Sequence, residues 1–190
     1  MNNEMIQAIK VLNSGGIIIF PTDTAFGVGC RIDNQDAIDR VFRIRNRPMT
    51  QALPILVGSC EQALTYYRSP SDIVRHLMET YWPGALTIVA QCKKELIYSP
   101  ICAGGETVGL RWPNHPVPQA LIEGVGVPIV GPSANFHGKP TPYTVSDLDS
   151  AFVSLVDFIV PGVCTINQSS TVVDCSVDPY KIIRQGAIVL

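Results

Sequence analysis

A short, uninterrupted apolar run near the start of the chain sets the strongest constraint on its fold. Residues 17–20 read Ile-Ile-Ile-Phe, and Pro21 follows at once. β-Branched residues favour strands, an apolar run without polar alternation is typical of a strand buried on both faces, and proline cannot continue a strand ladder. The run therefore predicts a buried strand in a sheet whose faces are covered.

The composition agrees with a covered sheet. Of the 190 residues, 46% are hydrophobic and 16% are charged, against about a quarter charged in an average soluble domain. A chain of this length can bury one sizeable core. We therefore expect a single domain over residues 1–190 and little or no disordered tail.

The remaining segments mix helical and strand patterns. Helical spacing of apolar residues, with polar caps and proline or glycine stops, predicts helices over 4–13, 33–48, 71–81 and 117–122. Short apolar runs predict further strands at 53–57, 86–89, 107–110, 127–130, 156–160, 170–174 and 181–184. Regular crossovers are too few for a doubly wound sheet. The predicted fold class is therefore α+β, a twisted sheet of mixed parallel and antiparallel strands covered by helices.

Charge and cysteine usage exclude several classes of function. The formal net charge is −2, so any contact with RNA has to be local and weak. The six cysteines form no C-x-x-C pair and no zinc-type spacing, which predicts buried, reduced thiols and no metal site. Residues 1–4 show no basic leader, and no apolar run approaches the ~18 residues that span a bilayer. We expect a cytoplasmic protein with no membrane contact.

Four arginines lie close together at the end of the second predicted helix, at positions 40, 43, 45 and 47. Asp36 and Asp39 stand four residues before Arg40 and Arg43, so two helical ion pairs are predicted. Those pairs would leave the last two arginines without partners.

Arg45 and Arg47, in the segment Arg45-Asn46-Arg47-Pro48, are open to two interpretations. A helix C-terminus favours cations for electrostatic reasons alone. Two guanidinium groups can also fork onto the oxygens of one polyphosphate. The second interpretation predicts a nucleotide site with these arginines at the phosphates.

Three further segments can shape either a turn or a ligand site. Pro21-Thr22-Asp23-Thr24 follows the first strand, and the Gly-x-Gly beyond it lacks the third glycine of a dinucleotide fingerprint. The loop that begins with Gly131-Pro132-Ser133-Ala134-Asn135 can line a phosphate or ribose pocket, or simply connect two elements. Arg111 ends an apolar strand and needs an anionic partner, either a buried carboxylate or a ligand.

Seven segments, in this order, resemble the threonylcarbamoyl-AMP synthase family, which is built on the YrdC-like domain. They are Pro21-Thr22-Asp23-Thr24, Arg45-Asn46-Arg47-Pro48, Trp82-Pro83-Gly84, Val108-Gly109-Leu110-Arg111, Ser133-Ala134-Asn135, Ser170-Thr171-Val172-Val173-Asp174 and Arg184-Gln185-Gly186. The match runs from Gly16 to Gly186, and the chain is similar to the short, single-domain form.

The resemblance implies an enzyme that makes threonylcarbamoyl-adenylate and pyrophosphate from L-threonine, bicarbonate and ATP, with Mg²⁺. The product would pass to partner proteins that modify a tRNA adenosine. By the same resemblance Thr24, Arg111 and Ser170 would hold threonine, and Arg45 and Arg47 would act in catalysis. The ATP contacts would be Arg47, Gln51, Thr107, Ser133, Asn135, Thr141 and Arg184.

Some positions depart from the family pattern. Arg45 stands where lysine is usual, Gln51-Ala52 where an Asn-Pro pair is found, and Leu56 where a histidine is common. His137 replaces a second serine in the loop after Ser133. These departures keep two alternatives open: a diverged paralogue of the YciO type that acts on an adenylate, and an RNA-binding module.

Overall fold

The computed structural model describes residues 2–190, and helices and strands alternate irregularly along them. The helices are α1 (Asn3–Asn13), α2 (Gln35–Ile44), α3 (Cys60–Tyr66), α4 (Asp72–Tyr81), α5 (Pro116–Val125) and α6 (Ser150–Val153). The strands are β1 (Ile18–Phe20), β2 (Gly27–Gly29), β3 (Ile55–Leu56), β4 (Leu86–Gln91), β5 (Thr107–Arg111), β6 (Ile129–Val130), β7 (Phe158–Ile159), β8 (Thr171–Asp174) and β9 (Lys181–Arg184).

The strands form two sheets of mixed direction. One has the order β2-β1-β7, with β1 antiparallel to β2 and parallel to β7. The other has the order β6-β3-β5-β4-β8-β9 and alternates antiparallel and parallel pairs across its width. The mixed α+β class is confirmed, although the sequence patterns had not divided the strands between two sheets.

Strand β1 is the interior strand that its apolar run predicts. Ile18, Ile19 and Phe20 are fully buried. On one side Ile18 and Phe20 pack with residues of α1 and α5, such as Leu12 and Leu121. On the other side Ile19 joins the larger core under the six-stranded sheet. A strand between two cores needs apolar residues on both faces, which explains the absence of alternation.

Helix α2 is delimited by local chemistry. The Asn34 side chain caps its start by accepting a hydrogen bond of 2.9 Å from the Ala37 amide. The apolar face of the helix, which includes Ala37, Ile38 and Val41, is buried. The helix ends at Ile44, earlier than predicted, because Asn46 takes a left-handed conformation with φ +51° that turns the chain before Pro48.

The predicted ion pairs within α2 are wrong. Arg40 instead pairs with Asp157, at 2.7 Å, from a segment far away in the sequence. Within residues 2–190 no carboxylate oxygen lies within 4 Å of a side-chain nitrogen of Arg43. Helical spacing permits such ion pairs, but each stabilises a helix by only a few tenths of a kcal/mol. Arg40 therefore binds the carboxylate of Asp157, with which it forms a stronger bidentate pair.

Other differences from the sequence expectation are short elements. Helices α3 and α6 were not predicted, and β2 was assigned to a turn or ligand loop. The Gly27–Gly29 strand pairs with β1, where glycine is required because a Cβ on Gly29 would lie 2.0 Å from the Val130 carbonyl oxygen. No helix among residues 2–190 is long and apolar enough to cross a membrane.

One face of the six-stranded sheet lines a cavity. Alternate residues of β4, β5 and the β8 segment point to this face, as the two-residue period of a strand requires. They are Thr87, Val89, Thr107, Gly109, Arg111, Ser170, Val172 and Asp174. The intervening residues, such as Ile88, Leu110 and Val173, are buried in the core.

Candidate active site

A cavity of about 490 Å³ lies between this sheet face and the loops that follow β1, α2 and β6. Its size is within the usual range for a small-molecule site. Among the predicted site residues, those that line it are Thr24, Arg45, Arg47, Thr107, Arg111, Ser133, Thr141, Ser170 and Arg184. Side chains that are distant in sequence therefore meet in one place, four arginines among them.

Arg45 is a buried cation held by neutral groups. Its side chain is 4% exposed, and its Nε donates to the Asn135 carbonyl oxygen at 3.1 Å, with Ser133 Oγ at 3.4 Å from Nη2. Burial lowers the pKa of Arg45 to about 10, and the charge of Arg47 adds to that effect. Among residues 2–190 no carboxylate lies within 4 Å of it. A buried charge without a counter-charge favours the binding of an anion.

Arg47 enters the cavity from the turn after α2. Its Nε donates to the Gln51 carbonyl oxygen at 3.1 Å and its Nη2 to the Ala52 carbonyl oxygen at 2.8 Å. Partial burial lowers the pKa of Arg47. The turn at Asn46 brings this side chain and Arg45 to the same cavity, so an anion there would relieve the repulsion between them.

Arg111 is held on the opposite side by the loop after β1. Its Nη1 donates to Thr24 Oγ1 at 2.7 Å, its Nη2 to Asp23 Oδ1, and its Nε to the Gly84 carbonyl oxygen at 3.0 Å. Burial lowers the pKa of Arg111, against the opposing effect of Asp23. A guanidinium has five N–H donors, so about two remain for a ligand. The salt-bridge interpretation of Arg111 is thus confirmed, and it leaves room for a carboxylate ligand.

The loop after β1 is ordered by its own hydroxyls. Thr22 Oγ1 donates to the Ala25 carbonyl oxygen at 2.8 Å and accepts from the Thr24 amide at 3.1 Å. Thr22 therefore forms the turn chemistry expected there and also lines the cavity. Asp23 lies behind this turn, 1% exposed, and acts on Arg111.

Ser170 connects the predicted threonine-binding residues with Arg184, a predicted ATP-binding residue. Its Oγ lies 2.9 Å from Thr87 Oγ1 and accepts a hydrogen bond of 2.9 Å from Arg184 Nη2. Arg184 Nε also donates to the Ser170 carbonyl oxygen at 3.0 Å. A ligand bound by Ser170 and one bound by Arg184 would consequently touch.

Two predicted ATP contacts lie outside the cavity lining. Gln51 supplies a carbonyl oxygen to Arg47, and Asn135 supplies one to Arg45. The Asn135 side chain turns away and donates to the carbonyl oxygens of Phe136 at 2.9 Å and Lys139 at 2.7 Å. Both residues hold arginines in place through their backbones, and direct contact with ATP stays a prediction.

The sequence patterns missed some polar residues that line the cavity, namely Thr87, Ser169 and Asp174. For Thr87 and Asp174 a signal was present, because they occupy the same alternate positions of their strands as other site residues. That signal becomes usable only when the strand face is known. Within residues 2–190, no group of three or more His, Cys, Asp or Glu side chains could hold a metal ion.

Leu56 is a large apolar side chain in the cavity wall beside Arg111. It is 2% exposed, lines the cavity, and is the register partner of Arg111 on the neighbouring strand. A Cβ on Gly131 would lie 2.5 Å from Leu56 Cγ, so the two positions are packed against each other. Leu56 therefore offers a ligand beside Arg111 an apolar surface.

Comparison with known proteins gives consistent matches. The family model named Sua5_yciO_yrdC, described as "Telomere recombination", matches residues 10–186. The threonylcarbamoyl-AMP synthase of Bacillus subtilis (strain 168) is 34% identical over 189 residues, which covers 97% of this chain and 54% of the relative. The chain thus spans about half the length of the curated synthases that it matches first.

Solved structures agree with the sequence matches. The crystal structure of Pyrococcus abyssi Sua5 complexed with L-threonine superposes with a TM-score of 0.91 at 31% identity, covering 96% of this chain and 54% of that one. Escherichia coli (strain K12) YciO, named an uncharacterized protein, is 28% identical over 183 residues, covering 95% of this chain and 87% of the relative, and its structure gives a TM-score of 0.86.

Proposed function

The chain belongs to the Sua5/YciO/YrdC family, and we propose that it is a threonylcarbamoyl-AMP synthase that joins L-threonine, bicarbonate and ATP. One observation carries the proposal. A single cavity holds a carboxylate-type subsite around Arg111 beside a polyphosphate-type subsite around Arg45 and Arg47. An enzyme that links an amino acid to the α-phosphate of ATP needs those two subsites side by side.

The first subsite suits the α-carboxylate of threonine. The free N–H groups of Arg111 can donate to it, and the hydroxyls of Thr24, Ser170 and Thr87 stand close by. The relative solved with L-threonine supports this choice of amino acid. Arg111 is already ordered by Asp23, so little side-chain entropy is lost when the carboxylate binds.

The second subsite suits the phosphates of ATP. Arg45 and Arg47 face the cavity without carboxylate partners, and Ser133, Thr141 and Arg184 extend the polar surface. The threonine amine would combine with bicarbonate to a carbamate, with loss of water. A carbamate oxygen would then attack the α-phosphorus while the bond to pyrophosphate breaks. The arginines would neutralise the charge that develops on the phosphate oxygens.

The reaction needs no protein nucleophile, and no cysteine or histidine of residues 2–190 lines the cavity. Positioning and charge neutralisation are what these residues can supply. Mg²⁺ would enter with ATP as the counter-ion of its phosphates. Magnesium of this kind shields phosphate charge and is held largely by the nucleotide.

We further propose that the product passes to partner proteins in the cytoplasm, which use it to modify a tRNA adenosine. The proposal also treats the chain as one domain, which is supported by a core cluster that joins Ile19 and Val28 of one sheet to Ile88 and Leu110 of the other.

The alternative of an RNA-binding module is disfavoured, because Arg45 and Arg111 are buried in the cavity and the net charge is −2.

A second candidate function is a diverged activity on an adenylate, and Leu56 is the observation that favours it. This apolar side chain beside Arg111 offers no hydrogen bond to the threonine hydroxyl. A YciO-type paralogue with a different acyl group is therefore the alternative to test.

Pyrophosphate release by purified protein tests the proposal directly. With ATP and Mg²⁺ present, release should require both threonine and bicarbonate, and mass spectrometry should detect threonylcarbamoyl-adenylate. Arg47→Ala should weaken ATP binding by about 2–3 kcal/mol, because charged hydrogen bonds are lost from a partly desolvated site. Release that is independent of threonine, or hydrolysis of an added adenylate without synthesis, would instead support the diverged activity.

A further inference from the structure

Part of the cavity wall is apolar. It consists of Val89, Gly109, Val172 and Ile183, which we call the apolar patch. Val89 and Gly109 are register partners on β4 and β5, and Val172 pairs with the neighbouring Thr87. Because Gly109 has no side chain, the middle of the patch is shallow, with only Thr87 and Val89 methyl groups within 3.5 Å of where a Cβ would stand.

Asp174 stands at the edge of the apolar patch as the register partner of Val89. Of the residues that the structure describes, it is the one acidic side chain in the cavity lining. Its Oδ1 is fixed by the Ser176 amide at 2.9 Å and by Ser176 Oγ at 2.6 Å. Across residues 2–190 no lysine or arginine nitrogen lies within 4 Å of the carboxylate, even though Lys181 pairs with it in register.

The carboxylate is therefore oriented but not neutralised, and its second oxygen is free to accept a hydrogen bond. Arg184 is the register partner of Val172, but its guanidinium is directed at Ser170 and not at Asp174. Ser170, which receives two hydrogen bonds from Arg184, lies four residues earlier on the same segment. At about 3.3 Å per residue this separation is about 13 Å, enough to place phosphates and base at different ends.

We propose that the apolar patch holds the adenine ring of ATP and that Asp174 accepts a hydrogen bond from its exocyclic amino group. This inference rests on the proposed function, and it assigns Asp174 as the residue that selects adenine over a 6-oxopurine. A carboxylate accepts from an amino group, whereas the oxygen at position 6 of hypoxanthine would face it acceptor to acceptor. A site built to pair with one donor discriminates strongly against a base that lacks it.

Binding of ATP and of inosine triphosphate, measured by calorimetry at fixed Mg²⁺, tests the inference without relying on turnover. The natural protein should prefer ATP by about tenfold or more. Asp174→Asn should bring the ratio of the two dissociation constants close to one, because an amide can turn its N–H toward the 6-oxo group. Ser176→Ala, which removes one of the two hydrogen bonds that orient the carboxylate, should give an intermediate ratio.

Glu123→Gln is the matched control, since Glu123 is exposed on α5 far from the cavity lining, and it should leave the ratio unchanged. Unfolding midpoints of all variants establish that they fold. An unchanged ratio in Asp174→Asn overturns the inference. If Asp174→Asn leaves the ratio unchanged but raises the Mg²⁺ concentration that ATP binding requires, Asp174 is a metal ligand and the inference is again overturned.

Failure of this inference is distinguishable from failure of the proposed function. Pyrophosphate release that requires threonine, in a protein without preference for ATP over inosine triphosphate, would overturn only the role of Asp174. Clear base selection without threonine-dependent release would overturn only the synthase. A protein that binds neither nucleotide would overturn both.

Discussion

Arg45→Met should make the ligand-free protein more stable while weakening its hold on ATP. The side chain of Arg45 is 4% exposed and has no carboxylate partner within 4 Å in the described chain. Its pKa falls from 12.5 to about 10 because of burial and of the charge of Arg47. At 1.36 kcal/mol per pKa unit, the charged state of this buried group is disfavoured by about 3 kcal/mol relative to water.

Methionine keeps much of the apolar stem and removes the charge, but it also loses two hydrogen bonds. The bond to the Asn135 carbonyl oxygen is 3.1 Å long, and the one to Ser133 Oγ is long at 3.4 Å. Together they stabilise the protein by about 1–2 kcal/mol. The expected net effect is a free energy of unfolding that rises by about 1–2 kcal/mol.

Urea unfolding with and without ATP measures both effects. In the natural protein ATP should raise the unfolding midpoint strongly, and in Arg45→Met the rise should shrink, in keeping with an affinity at least about tenfold lower. Arg43→Met is the matched control, because Arg43 is exposed on α2 two residues before Arg45, and its change should stay within about 0.5 kcal/mol. A variant that is less stable than the natural protein, or that binds ATP equally well, would refute the reasoning.

Three further changes probe other parts of the structure. Asp157→Asn should destabilise the protein most at neutral pH. Burial raises the pKa of Asp157, but the bond to Arg40 outweighs it and the pKa lies below its ordinary 3.8, so the stabilisation by the carboxylate is lost as pH falls through the folded-state pKa. Equal losses of stability at pH 7 and pH 2 in thermal unfolding would contradict this. Gly131→Ala should cost about 1–3 kcal/mol because its Cβ would meet Leu56 at 2.5 Å, and Leu56→Ala in the same protein should recover part of the loss in a double-mutant cycle. Ser170→Ala should weaken threonine binding by about fivefold to tenfold in calorimetry and lower the free energy of unfolding by about 1–2 kcal/mol, because the bonds to Thr87 and Arg184 are lost. Unaltered affinity would remove Ser170 from the amino-acid subsite.

Elements of the fold with a strong local signal were predictable from the sequence. The unbroken apolar run before Pro21 identified the interior strand, and Asp33-Asn34 predicted the start of α2, where Asn34 is the cap. Elements without such a signal were missed, among them β2, whose three residues depend on pairing with β1. Short strands have few local interactions of their own, so their existence is decided by the neighbour that supplies their hydrogen bonds.

The candidate site divides in the same way. Its motifs were recognisable in sequence order, and Arg45 and Arg47 were identified as cations without helical partners. The choice of Asp157 as partner of Arg40, by contrast, depended on a segment more than a hundred residues away. Competition between local and distant partners is settled by geometry that no local pattern contains.

Residue types and local periodicity thus determined the helices and strands that have a strong local signal, and they indicated which arginines can bind an anion. Only the tertiary structure decided that Thr87 and Asp174 share a wall with Arg111, and that Leu56 lies beside that arginine. The physical reason is strand register: a strand presents every second residue to each face, and its pairing selects the face that meets the cavity.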